Sequence, residues 1–458
     1  MRDESGAGAA PRARVVVAAT AGIFVEAFDW TLYGLVAPYL SVQMFPGDDA
    51  FAKVVGSYAV FAAGFLARPL GSALMGRIAD TRGRRAGLTT SVALMAAGAL
   101  VIAATPGFAA IGWAAPAVVF LARLLQGIAM GGEIATAATY VVEVAPRPRR
   151  HLFGSIAYSG DALGSLGAAV VLAVLLGSAG RAGLEAGWWR AAFVVGAGLG
   201  LTAWWIRRRA PESRALVPAG PAGLDGPDGK AGPDVAGRGP GARGPVLALL
   251  RPQAARMLLV FGITVGSTVG VYFATVYLPQ FAAATGRLTE AAATRGLTPA
   301  LLTLLVTMIA AGALADRFGP LALIRAGFTL LALTTPPLML GLVAGRVPYL
   351  LAACVFCAGL GLQLGVTPVA GARLFPAGIR AVALGVPAAV AVAAFGGTLP
   401  LVGAWLVRSG HLSTVVWYVT GAVTASAIGS WLLSERLLGE DEPLPAAGHR
   451  SGTGRVAG

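Results

Sequence analysis

Residues 15–40, VVVAATAGIFVEAFDWTLYGLVAPYL, form an apolar run long enough to cross a bilayer, yet Glu26 and Asp29 sit near its middle. A hydrocarbon core about 30 Å thick takes roughly 20 residues of helix. An acid facing lipid at that depth costs about 2.5–3.5 kcal/mol, so both acids must face protein or a wet cavity. Glu26, Asp29 and Tyr33 recur at helical spacing and share one helix face, which makes that face the first candidate working surface.

The rest of the chain agrees with a membrane protein. Of 458 residues, 56% are hydrophobic and 12% charged, and mean hydropathy is +0.74. An ordinary soluble domain carries about 25% charged residues, so a soluble fold is excluded. Residues 1–14 read as a polar tail, and the apolar run after it is too long for a cleavable signal and lacks a small-residue cleavage site. The net charge of +14 invites a nucleic-acid partner. The placement of the charges argues otherwise: about 26 of the 35 Lys and Arg fall in the two tails and in alternate loops, the asymmetry that fixes membrane orientation. No nucleic-acid partner is therefore expected, both termini are expected to be cytoplasmic, and the number of crossings is expected to be even. Abundant Ala, Gly and Arg with almost no Lys suggest a GC-rich genome and hence a bacterial plasma (inner) membrane.

Apolar runs set against turn signals give twelve expected spans. From Ala210 the sequence changes to APESRALVPAGPAGLDGPDGKAGPDVAGRGPGARGP, rich in Pro and Gly with no apolar period, which reads as a flexible linker. The expected organisation is a cytoplasmic tail at 1–14, a six-helix bundle at 15–209, a cytoplasmic linker at 210–250, a second six-helix bundle at 251–438 and a tail at 439–458. An internal repeat supports two halves: GRIADTRGRRAGL at 76–88 is echoed by GALADRFGPLALI at 312–324, and APRPRRHLFG at 145–154 by FPAGIRAVALG at 375–385. The fold class is an all-α membrane protein of two pseudo-symmetric six-helix bundles. Cys354 and Cys357 lie in an apolar helix and read as packing; no metal or cofactor is expected.

At these residues the chain resembles a known family. GRIADTRGRR at 76–85 is similar to the loop signature G-x-x-x-D-x-x-G-R-[KR] of the major facilitator superfamily, and ARLLQG at 122–127 to its fourth-helix signature. More narrowly, EAFDWTLYG at 26–34, FLARPLGS at 65–72, RLLQGIAMGGE at 123–133, GWWRAAF at 187–193, IRRRAPES at 206–213, LFPAGIR at 374–380 and FGGTLP at 395–400 resemble the metabolite:proton symporter branch. That branch carries organic acids such as 2-oxoglutarate, citrate and shikimate, or proline and betaine. The chain departs from it at Ile23, Ala27 and GVPAAV at 385–390, so the resemblance does not carry over a substrate.

The candidate proton-coupling residues are Glu26, Asp29, Glu133 and Asp161, because a carboxyl in a low-dielectric cavity takes up a proton more readily. Static pairing of the first two with Arg68 or Arg123 is the competing reading. The candidate substrate-binding residues are Tyr33, Arg68, Arg123, Gln126, Tyr272, Tyr277 and Gln363. Arg123 could hold a substrate carboxylate bidentately, or hold the acids of the first helix until a proton or substrate displaces it. Gly127, Gly131 and Gly132 read as close-packing positions, and Trp188, Trp189, Trp204 and Trp205 as interfacial anchors. A cytoplasmic gate is expected from Asp80, Gly83, Arg84, Arg85 and Arg380, with Asp80 near the positive end of a partner helix and Asp316 and Arg317 as its weaker counterpart.

The expected function is secondary active transport, with no enzyme activity: proton-coupled uptake of a small polar metabolite, an organic acid or zwitterion, by a monomer in a lipid bilayer. The alternative is a proton-driven exporter of a drug-like or secondary metabolite. A membrane-embedded transferase would need catalytic groups on a loop, which three His and short outer loops do not supply.

Overall fold

A backbone in hydrocarbon has no partner but itself, and helices are the result. The computed structural model describes residues 9–82, 84–131, 145–208, 251–375 and 380–437, and every regular element among them is helical. In the first half these are α1 (Ala9–Met44), α2 (Ala50–Leu66), α3 (Arg68–Arg82), α4 (Arg84–Ala104), α5 (Ala114–Met130), α6 (Arg150–Ser178) and α7 (Trp189–Arg208). In the second half they are α8 (Ala254–Tyr272), α9 (Leu278–Ala284), α10 (Glu290–Phe318), α11 (Pro320–Val343), α12 (Tyr349–Leu364), α13 (Thr367–Ala372), α14 (Arg380–Phe395), α15 (Thr398–Arg408) and α16 (Leu412–Leu432). Among the described residues nine helical stretches are long and apolar enough to cross a membrane. Adding α1, α5 and α7 is consistent with twelve passes. The linker at 210–250 and the tail at 439–458 lie outside the described residues.

Helix α1 begins at Ala9, six residues before the expected start. Pro11 stands in its first turn, where its missing N–H costs no hydrogen bond, and Arg12 and Arg14 are good helix formers.

Several passes are broken at depth. Pro69 follows the junction of α2 and α3, and Pro368 follows that of α12 and α13. Between α8 and α9 the turn Phe273–Tyr277 widens to π-helix, a local form often found at functional sites. Arg68, Tyr272 and Thr367 stand at these interruptions. Interrupted backbone at membrane depth is tolerated where it lines a cavity.

The halves meet where α6 packs on α10 and where α2 and α3 pack on α14 and α15. Within the first half, α5 lies close against α2 and α3. A Cβ at Gly127 would meet the carbonyl carbon of Gly64 at 2.9 Å, and one at Gly131 would strike the backbone of Arg68 and Ser72. These glycines are packing positions, as expected; Gly132 lies outside the described residues. Gly127→Val is expected to lower stability by about 1–3 kcal/mol, the cost of overpacking, read as a lower unfolding temperature of purified protein.

The linker end is the face bearing the helix termini next to 209–250. The opposite, far end is fastened across the halves. Tyr58 donates to Gln280, Tyr39 donates to Glu290 at 3.0 Å, and Arg181 pairs with the same Glu290. Arg408 donates to both carboxylate oxygens of Asp49 at 3.0 Å. That hydrogen bond, followed by the Phe51 amide at the start of α2, holds the Asp49 carboxyl below its usual range. The pair is therefore complete at neutral pH and is lost only as pH falls through that lowered value. At the linker end, the amides of His151 and Leu152 in the first turn of α6 donate to Asp316 at 2.9 and 3.0 Å. An acid at a helix amino terminus satisfies orphan donors and meets the positive end of the helix dipole.

Trp189 departs from the expected anchor role. It is fully buried, and its indole N–H donates to Gln43 at 3.3 Å, while Trp188 and Trp205 are exposed. Cys357 is buried and Cys354 half-buried, both as free thiols in the packed body of α12.

Candidate functional site

Between the halves lies a cavity of about 180 Å³. The first half contributes Glu26 from α1, Arg68 from α3, and Tyr158 and Asp161 from α6. The second half contributes Thr264, Ser267, Thr268, Val271 and Tyr272 from α8, together with side chains of α11 to α14. Arg68 reaches across the gap: its NH2 donates to the Tyr272 hydroxyl at 3.3 Å, and its guanidinium lies 4.4 Å from the Phe65 ring and 4.8 Å from the Trp30 ring. Its Nε is buried without a hydrogen-bond partner among the described residues. Asp161 has a buried carboxylate oxygen, Oδ2, likewise with no donor among the described residues.

A second charged cluster lies off the cavity. Arg123 NH1 donates to Asp29 at 2.6 Å and to Gln126 at 2.7 Å, and the Gln126 amide donates to the other Asp29 oxygen at 2.8 Å and to the Met95 carbonyl at 3.3 Å. The Arg123 guanidinium lies 4.2 Å from the Trp30 ring and 4.3 Å from the Tyr33 ring, and the residue is fully buried. Tyr33 donates to the Ser57 carbonyl at 3.3 Å. None of Asp29, Tyr33, Arg123 and Gln126 lines the cavity. The single working face expected on α1 is thus divided by depth: Glu26 reaches the void, while Asp29, nearly one turn on, meets the guanidinium from α5. Trp30 touches both arginines and so joins the two clusters.

In the second half, Tyr272 lines the cavity, whereas Tyr277 and Gln363 are buried away from it. Gln363 stands behind the wall, where its Oε1 accepts from Ser267 at 3.0 Å and Thr367 at 3.2 Å.

The Major Facilitator Superfamily profile matches residues 19–386. The chain belongs to that superfamily. It is therefore a multi-pass membrane transporter rather than an enzyme. It is 33% identical over 428 residues to the alpha-ketoglutarate permease of Escherichia coli (strain K12), covering 92% of this chain and 93% of that protein. It is 31% identical to the citrate-proton symporter of Salmonella typhi, covering 92% and 94%. To a putative proline/betaine transporter of Staphylococcus haemolyticus (strain JCSC1435) it is 30% identical, covering 89% and 84%. The fold matches that of the proton:xylose symporter XylE bound to 6-bromo-6-deoxy-D-glucose with a TM-score of 0.72 at 18% identity, covering 93% of this chain and 96% of that one.

In this major facilitator the expected gate is only partly described. Asp80 lies in α3, Arg84 and Arg85 open α4, and Arg380 opens α14. Their side chains, and the whole of Gly83 and Glu133, lie outside the described residues. The facilitator's cavity also contains residues not singled out from sequence: Tyr158, Thr264, Ser267 and Thr268. The signal was present. Positions 264, 267, 268, 271 and 272 follow one helical stripe, and Tyr158 precedes Asp161 by three residues on the same face.

Proposed function

We propose that this chain is a proton-coupled symporter that takes up a small metabolite bearing a carboxylate, by alternating access of the central cavity to the two sides of a bacterial plasma membrane. The observation that carries this reading is the conjunction, in one cavity between the halves, of a guanidinium (Arg68) and two carboxyls (Glu26 and Asp161). Arg68 receives the substrate carboxylate, and Tyr272, already hydrogen-bonded to it, brings the second half to the bound anion. Glu26 and Asp161 carry the proton, which cancels charge that would otherwise cross the membrane buried. Each inward proton gains about 2.3 kcal/mol per 100 mV of potential. Glu133 remains a sequence-based candidate for the same task.

In this reading Asp29, Arg123 and Gln126 form a fixed charged core under the site rather than a substrate contact. The names of the relatives, a permease for alpha-ketoglutarate and a citrate-proton symporter, support an acid as cargo and a proton as partner. The linker end is the cytoplasmic end, with both termini on that side, and the carrier works as a monomer. Asp316 closes that end against α6. Asp80, Gly83, Arg84, Arg85 and Arg380 remain the sequence-based candidates for the symmetry-related contact.

Asp316→Ala removes the acceptor of two helix-terminal amides, worth about 1 kcal/mol, or roughly a fivefold shift toward the conformation open at the linker end. A membrane-impermeant maleimide applied from that side should therefore label a Thr264→Cys reporter several-fold faster. Unchanged labelling would contradict the gate assignment.

The apolar wall of the second half favours a second reading, export of an apolar product by antiport. Reconstituted vesicles separate the two. With an inward proton gradient imposed, symport accumulates the labelled acid inside, and antiport depletes preloaded vesicles of it.

A further inference from the structure

The polar groups of the cavity are unevenly placed, and on the transport reading above this restricts the cargo. Its charged groups, Arg68, Glu26 and Asp161, all come from the first half. Arg68 is the one cationic side chain among the described lining residues, and the undescribed stretch 132–144 contains no Lys, Arg or His. The facing wall is built from Val260, Ile263, Val271, Ile324, Leu364 and Leu384. Hydroxyls interrupt it, and three of them, on Thr264, Ser267 and Thr367, already donate to protein acceptors. Thr264 donates to the Val260 carbonyl at 2.7 Å, Ser267 to the Ile263 carbonyl at 3.1 Å and Gln363 at 3.0 Å, and Thr367 to the Gln363 carbonyl at 2.7 Å. A second carboxylate would meet hydrocarbon and scattered neutral hydroxyls but no second cation among the described lining residues, and a buried anion without a countercharge is strongly disfavoured.

We infer that the cavity selects a small monocarboxylate with an apolar body, and discriminates against di- and tricarboxylates and against zwitterions. The head group pairs with Arg68, and a branched or aromatic body lies on the α8, α11, α12 and α14 wall. A substrate ammonium would lie beside Arg68 and would need the same carboxyls that carry the proton. At about 180 Å³ the space is below the roughly 300–1,000 Å³ of drug-sized sites, which keeps the cargo small.

Calorimetric titration of the purified full-length carrier with 3-phenylpropionate, 4-methylvalerate, 2-oxoglutarate, citrate and glycine betaine tests this. The first two are expected to bind at least tenfold more tightly than the other three, and Arg68→Ala is expected to abolish the preference. Thr264→Lys places a second cation on the wall and is expected to raise 2-oxoglutarate affinity about tenfold. Tighter binding of 2-oxoglutarate, citrate or betaine by the parent protein overturns the inference, as does failure of both monocarboxylates to bind. The symport reading fails separately: vesicles that expel a preloaded monocarboxylate under an inward proton gradient would overturn it while the binding order stands.

Discussion

Arg123→Ala is expected to leave little folded carrier in the membrane, and Asp29→Asn to come close to the same loss. Each substitution strands a charge in a site that excludes water. Removing the Asp29 charge leaves the Arg123 guanidinium between Trp30 and Tyr33 with only neutral oxygens to receive it. Removing Arg123 leaves Asp29 with one amide donor where it had two partners. Breaking one side of a buried pair costs about 3–5 kcal/mol, a large share of a total stability of about 5–15 kcal/mol. The double variant Asp29→Asn/Arg123→Gln removes both charges and should recover most of the loss. Fluorescence-detected size exclusion after stepwise heating measures all three. If both single variants melted like the parent protein, the pair would not be a fixed core.

Arg68→Ala is expected to act differently, by reducing substrate affinity about 10- to 100-fold while the protein still folds. A hydrogen bond to a charged group is worth about 1.5–3 kcal/mol, and Arg68 lines the cavity, so water can replace part of what is lost. Arg68→Lys keeps the charge but not the planar fork stacked on Phe65 and Trp30, and should recover only part of the affinity. Tyr272→Phe removes the cross-half hydrogen bond alone and should cost less than either. Binding isotherms read affinity, and counterflow in vesicles reads turnover. A loss confined to turnover would place Arg68 in the conformational change rather than in the binding site.

Much of the architecture was legible because the bilayer imposes a coarse rule: long apolar runs, basic alternate loops and a duplicated loop motif leave few folds available. The pairing of charges was harder to read. Periodicity put Glu26, Asp29 and Tyr33 on one face correctly, but it carries no depth, and less than one turn decides whether an acid meets water or Arg123. Likewise Gln363 and Tyr277 looked like cavity residues because they are polar in apolar helices. The fold turns both into the packing, and a stripe of hydroxyls on α8 takes the surface instead. Repeat symmetry alone singled out Asp316, since the motif around Asp80 named its counterpart; its acceptance of two α6 amides required coordinates.

In the proposed mechanism the acids of the shared cavity, Glu26 and Asp161, carry the proton. The direct measurement is made in vesicles on Glu26→Gln, Asp161→Asn and the double variant, with substrate exchange and gradient-driven accumulation followed in the same preparation. Exchange is expected to persist while accumulation under an inward proton gradient collapses in the double variant. Full accumulation by the double variant would show that neither acid carries the proton.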